Sequence, residues 1–389
     1  MKFRFLKNIS TILAVIQLLT TCSSAKVYSE INAMSNTVDL GLTAGSACLM
    51  DSSSGNILYE VNSHEKLEPA SVTKIMSLIL AMEALDSGTI TLDTKISASM
   101  KAASMGGSQI WLEYGEEMTL DEMLKAIIVV SANDCTVALA EHLAGSEEAF
   151  VQLMNKRATE LGMKDTTFKN STGLPEEGHL TSAYDIALMT RELSRHKMIF
   201  NYTTIWMDSV RNGEMGLSNT NKMIRFYKGA NGMKTGFTSS AQYCLSATAS
   251  RDSLDLIAVV MKCKTSDDRF ESAKKMLDYG FANFANFTSK VHELENLKVK
   301  GGETPYVKVA YDPARILLTK NKTSNVEENI VLPEYVTAPI KPGDVVGEII
   351  YTVNGEQVGK SEIKALEDVQ KTGFNDLISK IFKKLIMLK

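Results

Sequence analysis

The sequence predicts a mixed α/β (α+β) fold: one sheet flanked by helices, then a small all-β domain, then a terminal amphipathic helix. Three observations carry this. Two adjacent apolar runs, Tyr243 to Ala249 and Asp255 to Met261, read as buried strands around a turn at Arg251-Asp252, with helical patterns on either side. After Phe281 the composition shifts to short alternating runs punctuated by Gly301-Gly302, Asp312-Pro313, Lys341-Pro342-Gly343-Asp344 and the hairpin signal Asn354-Gly355. The last stretch places Phe374, Leu377, Ile378, Ile381, Phe382, Leu385 and Leu388 on one helical face, with Lys380, Lys383, Lys384 and Lys389 adding basic charge.

The elements follow in order. Lys2, Arg4 and Lys7 precede the apolar run Ile9 to Leu19, and small residues Ser23 and Ala25 follow at signal-peptidase spacing. Residues 1–25 therefore read as a secretory signal peptide; the apolar run is too short for a retained span. A lipoprotein signal ending at Cys22 is the alternative, weakened by Thr21. Ala47 to Met50 and Asn56 to Val61 form a hairpin around Asp51-Ser52-Ser53-Ser54-Gly55. A helix is expected from Ser71 to Asp86, its apolar residues Ile75, Leu78, Ile79, Met82 and Leu85 at helical spacing, with Gly88 as its stop. Ser99 to Glu116 is irregular. Thr119-Leu120-Asp121-Glu122 is a capping box opening a helix that runs to Val130 and ends at the polar stretch Ser131-Ala132-Asn133-Asp134. Further helices are expected from Cys135 to Leu143, after Ser146 to Gly162, and from Ser182 to Leu193. From Lys222 the pattern turns strand-like, and a helix from Asp268 to Tyr279 closes the larger domain. The domain boundaries are set at 36–285, 287–366 and 374–389.

Composition excludes some functions. A net charge of -4 over 389 residues gives no nucleic-acid footprint. The five histidines are scattered and no H-E-x-x-H occurs, so no metal or cofactor is expected. Cys48, Cys135, Cys244 and Cys263 sit in apolar contexts and read as buried free thiols, with a Cys244–Cys263 disulfide as the alternative for an exported chain.

The chemistry concentrates in three motifs. Ser71-x-x-Lys74 starts an apolar helix, and residues three apart share a helix face, so a hydroxyl and an amine can meet there. This is a nucleophile with a built-in base, an arrangement for acyl transfer without histidine. Backbone N–H groups at a helix start are unpaired and can face a developing negative charge. Ser131-x-Asn133 and then Lys234-Thr235-Gly236 follow, the latter in a glycine-rich strand. That ordered triple is the signature of penicillin-binding proteins and class A β-lactamases.

With Met105-Gly106-Gly107-Ser108, Gly173-Leu174-Pro175, Tyr184-Asp185 and Lys234-Thr235-Gly236-Phe237-Thr238 added, the chain closely resembles the low-molecular-mass penicillin-binding proteins that are serine-type D-alanyl-D-alanine carboxypeptidases. The resemblance implies a β-lactamase/transpeptidase-like domain that takes the terminal D-alanine off peptidoglycan pentapeptide stems and is inhibited by β-lactams. It implies Ser71 as nucleophile, Lys74 as base and Ser131 as proton relay. Backbone N–H groups of Ser71 and Phe237 would hold the oxyanion. Asn133 would bond the substrate amide and the lysine. Lys234, Thr235 and Arg269 are candidates to read the leaving residue's carboxylate, with Gly236 beside them.

Lys74 can act as a base only when neutral; burial and the nearby Lys234 cation would lower its pKa, to roughly 7–8 for the task. His179 reads as a loop hydrogen-bonder. The expected location is the outer face of the cytoplasmic membrane, with the terminal helix lying peripherally in the interface. Other readings are a transpeptidase or endopeptidase, a β-lactamase (Glu176 and Glu177 lie in the right interval, but E-x-x-L-N is absent), and a wall-binding scaffold.

Overall fold

The structure, a computed structural model, describes residues 38–373; the expected signal peptide and the expected amphipathic terminal helix lie outside them. The described chain divides into a unit ending at Asn283 and a unit beginning at Phe284.

In the first unit β1 (Ser46–Asp51) and β2 (Ile57–Val61) form the expected hairpin. Two short antiparallel pairs follow, β3 (Lys95–Ser97) with β4 (Glu117–Thr119), and β5 (Met207–Val210) with β6 (Met215–Ser218). Then come β7 (Ala230–Thr238), β8 (Gln242–Arg251) and β9 (Leu254–Cys263). The main sheet is antiparallel in the order β2-β1-β9-β8-β7, so β7 is an edge. The centres of β8 and β9 are buried on both faces, because helix Ala183–Leu193 and helix Ser266–Asn283 each pack on the sheet. That double cover explains why their sequence is continuously apolar rather than alternating.

The helix Lys74–Asp86 is the centre of the core. Lys74, Ile75, Met76, Leu78, Ile79 and Met82 are all buried, and the helices Asn133–Ala144, Glu147–Glu160 and Ala183–Leu193 pack around it. The Thr119–Glu122 capping box is present in both directions. The expected strand pattern from Lys222 is corrected: Met223–Phe226 is one helical turn, and the strand begins at Ala230. Asn221 Oδ1 accepts the Met223 N–H at 3.2 Å, an Asx bond that starts the turn locally.

The second unit holds three small sheets. β10 (Phe284–Thr288) pairs with β14 (Arg315–Thr319). β11 (Leu297–Lys300) lies between β12 (Tyr306–Val307) and β16 (Tyr335–Thr337). The third has the order β13-β18-β17-β15, from β13 (Val309–Tyr311), β15 (Val326–Val331), β17 (Val345–Val353) and β18 (Glu356–Ala365). Asn354 and Gly355, both at positive φ, make the tight turn between β17 and β18, as the dipeptide foretold.

Candidate active site

Ser71 lies in a single 3-10 turn, Ala70–Thr73, that runs straight into the helix Lys74–Asp86. The expected α-helical start at Ser71 is thereby corrected to Lys74. The cause is tertiary. Ala70 is left-handed, with φ of 49°, and two glycines leave room for the close packing around it. A Cβ at Gly173, itself at φ +85°, would lie 1.8 Å from the Ala70 carbonyl oxygen. A Cβ at Gly236 would lie 2.8 Å from the Pro69 oxygen and 3.1 Å from the Ala70 Cβ. Any side chain at either position would push the serine turn away from the β7 edge or from the 170–175 loop.

Lys74 is fully buried. Its Nζ is 3.0 Å from Ser71 Oγ, 2.6 Å from Asn133 Oδ1 and 2.8 Å from the Thr172 carbonyl oxygen. Burial pushes its pKa well below the ordinary lysine value, the Lys234 charge pushes it further down, and Asp134 opposes. The neutral amine has two N–H bonds and one lone pair. Asn133 Oδ1 and the Thr172 carbonyl can only accept, so they take the two protons. Asn133 cannot present its amide nitrogen instead, because Nδ2 donates to the Gly106 carbonyl at 2.7 Å. The lone pair is left facing the Ser71 hydroxyl.

Ser131 ends a π-helical turn, Ala126–Val130, in the left-handed region at φ 66°. Such turns concentrate at functional sites. Its Oγ is buried and has no hydrogen-bond partner among the described residues. Asn133 and Asp134 start the next helix. The Asn133 N–H, unpaired within its helix, donates to the Ser108 carbonyl at 2.7 Å. Asp134 Oδ2 accepts the N–H groups of Ile110 and Leu112 at 3.0 and 3.1 Å.

Lys234, Thr235, Gly236 and Phe237 lie on β7. Lys234 is buried, its Nζ donates to the Thr235 carbonyl at 3.1 Å, and burial followed by the Arg269 charge lowers its pKa to about 7. Thr235 Oγ1 is 2.7 Å from Thr220 Oγ1. Phe237 is 53% exposed and its ring packs on Tyr243 with centroids 4.3 Å apart.

Arg269 is turned inward, only 7% exposed. Its Nη1 donates to the Gly236 and Cys244 carbonyls at 3.1 and 3.4 Å, and its guanidinium lies 5.2 Å from the Tyr243 ring centroid. These bonds bring it to the motif strand beside Gly236, and its Nε is buried with no hydrogen-bond partner among the described residues.

His179 is the buried loop hydrogen-bonder the sequence suggested. The Lys169 N–H donates to its Nδ1 at 3.1 Å, so Nε2 carries the proton and donates to Thr73 Oγ1 at 2.9 Å. Burial lowers its pKa to about 4, so it stays neutral. The four described cysteines are buried and free. Sequence reasoning did not single out the Thr172 carbonyl or Thr220. A backbone acceptor leaves no residue signature, and Thr220 lies in no motif.

A seryl oxygen, a desolvated amine and a second buried lysine on a sheet edge define an active-serine enzyme of the penicillin-binding class. Residues 32–265 match the D-alanyl-D-alanine carboxypeptidase family, and residues 285–371 match the C-terminal domain of penicillin-binding protein 5. The chain belongs to the D-alanyl-D-alanine carboxypeptidase family. It is 43% identical to D-alanyl-D-alanine carboxypeptidase DacF of Bacillus subtilis over 373 residues, covering 94% of this chain and 95% of that one. It is 32% identical to D-alanyl-D-alanine carboxypeptidase DacC of Escherichia coli, covering 84% of each. Penicillin-binding protein 5 from Haemophilus influenzae superposes with a TM-score of 0.73 at 30% identity, covering 85% of this chain and 98% of that structure. Penicillin-binding protein D2 from Listeria monocytogenes in its ampicillin-bound form superposes at 0.58 with 28% identity, covering 63% of this chain and all of that one.

Proposed function

We propose that this protein removes the terminal D-alanine from peptidoglycan pentapeptides through an acyl-enzyme on Ser71, and that β-lactams react at the same oxygen. The observation that carries the reading is the fixed orientation of the Lys74 amine, 3.0 Å from Ser71 Oγ with its two other directions taken by acceptors.

Ser71 Oγ attacks the carbonyl carbon of the penultimate D-alanine while its proton passes to Lys74 Nζ. The oxyanion is held by the backbone N–H groups of Ser71 and Phe237, each such donor contributing about 3 kcal/mol. The carbon–nitrogen bond then breaks. Ser131, its hydroxyl unpartnered and buried, passes its proton to the departing D-alanine amine and takes the one held by Lys74 in return, which restores the neutral amine. Water hydrolyses the ester. The free carboxylate of the substrate meets Lys234 and the Thr235 hydroxyl, while Arg269 steadies their strand through the Gly236 carbonyl. A cation that must wait for an anion is consistent with the depressed Lys234.

The test is labelling with a fluorescent penicillin together with D-alanine release from a pentapeptide. Both disappear in Ser71→Ala on this reading; labelling that survives the substitution refutes it.

For location we propose an exported, peripheral enzyme held by residues 374–389 in the membrane interface. Among the described residues no helix is long and apolar enough to cross a membrane. Deleting residues 374–389 releases the enzyme from membranes; unchanged partition rejects the anchor.

A further inference from the structure

Trp111 is held in a conformation it would not adopt alone. Its φ is 57°, in the left-handed region that bulky L-residues occupy only when their surroundings impose it. The imposition is visible on both sides. The N–H groups of Ile110 and Leu112 both donate to the buried Asp134 carboxylate. Arg211 Nη1 donates to the Ile110 carbonyl at 2.8 Å and Nη2 to the Trp111 carbonyl at 3.2 Å. Arg211 is itself clamped on Glu116, Nε to Oε1 at 2.8 Å and Nη2 to Oε2 at 3.0 Å. The side chains of Ile110 and Leu112 are buried, yet the indole between them is 66% exposed. A turn needing only a left-handed residue would suit Gly or Asn; burial would be the ordinary use of an indole. Here a buried carboxylate and an arginine fix an exposed aromatic in one place.

That place adjoins the candidate site. Asp134 directly follows Asn133, which holds Lys74, and the Asn133 N–H donates to the Ser108 carbonyl. Trp111 follows Ser108 by three positions, a reach of at most about 11 Å. In a pentapeptide four residues lie on the sugar side of the scissile bond, and extended they span about 13 Å. A pyranose ring offers an apolar C–H face ringed by hydroxyls. An indole, with an apolar face and one N–H donor, complements it.

We propose that Trp111 is a stacking platform for the glycan sugar that carries the peptide stem, making it a specificity residue that favours wall-attached over free peptide. This rests on the carboxypeptidase reading above, and the test separates the two. D-alanine release is measured from a short acylated peptide ending in D-Ala-D-Ala and from a disaccharide-pentapeptide of the same peptide sequence. Release by the wild type from the short peptide tests the reading itself.

Trp111→Ala is expected to lower kcat/KM on the disaccharide substrate about tenfold, through KM. Turnover of the short peptide and the rate of penicillin acylation should stay within about twofold, and Trp111→Tyr should restore most of the loss. An equal loss on both substrates, or none on either, overturns the proposal. As an activity-independent readout, Trp206→Phe leaves Trp111 as the single tryptophan. Its emission should shift on adding the disaccharide-pentapeptide and not the free pentapeptide; the same shift with both, or with neither, overturns the platform.

Discussion

The substitution Asn133→Asp isolates the orientation of the Lys74 amine. Asn133 Oδ1 lies 2.6 Å from Nζ and both residues are buried, so the nearly isosteric change puts a carboxylate against the amine without moving the chain. A carboxylate at that distance in a desolvated site favours the ammonium, and close pairs of this kind shift a pKa by about one to three units. The acid limb of acylation should therefore move to higher pH by the same amount. Below the wild-type limb the variant should acylate about 10- to 1000-fold more slowly, and it should recover as the pH is raised. The carboxylate also cannot donate to the Gly106 carbonyl, which Asn133 Nδ2 now satisfies at 2.7 Å. A stability loss of about 1–3 kcal/mol accompanies that unpaired acceptor, so thermal unfolding is recorded alongside. The assay is the second-order rate constant for fluorescent penicillin acylation across pH. A wild-type pH profile in Asn133→Asp, or a loss that no pH restores, would refute the assignment of Lys74 as base.

Two further predictions concern titration. Lys234 loses its charge as the pH rises through about 7, so kcat/KM for a carboxylate-bearing peptide should fall on that alkaline side. Bound substrate stabilises the ammonium, so the limb in kcat should lie higher; in Lys234→Arg, which stays charged, the limb should vanish from both, and its persistence would point to another group. His179 has a folded pKa of about 4, below the ordinary 6.5 of the unfolded chain. The unfolded state thus binds the proton more readily between these values. The stabilisation is complete above pH 6.5 and lost as the pH falls towards 4, by about 3 kcal/mol. Unfolding free energies of His179→Gln should lack that part of the pH slope; an unchanged slope would show that the histidine does not carry it.

Much of this was legible because the deciding signals are local. The Thr119–Glu122 capping box, the Asn354-Gly355 turn and the apolar runs of β8 and β9 each encode their own geometry. The three motifs proposed to carry the chemistry were visible because they are side chains at short spacing. What escaped was tertiary. The turn at Ser71 packs against Gly173 and Gly236, in distant segments, more closely than any side chain there would allow. The second acceptor that fixes Lys74, beside Asn133, is the backbone carbonyl of Thr172. The bonds of Arg269 to the Gly236 and Cys244 carbonyls were not foreseen either; sequence spacing does not reveal which way a helix-start arginine turns. The strand pairs β3–β4 and β5–β6 are too short for any periodicity to announce them.

The central claim is that the Lys74 amine is uncharged when Ser71 reacts. The direct measurement is the pH titration of the Lys74 ε-carbon by NMR in 13C-lysine-labelled enzyme, with Lys74→Arg providing the assignment. A midpoint well below the ordinary lysine value of about 10.4, leaving the amine neutral in the working range, is the expected result. An ammonium that persists to pH 10 would contradict it.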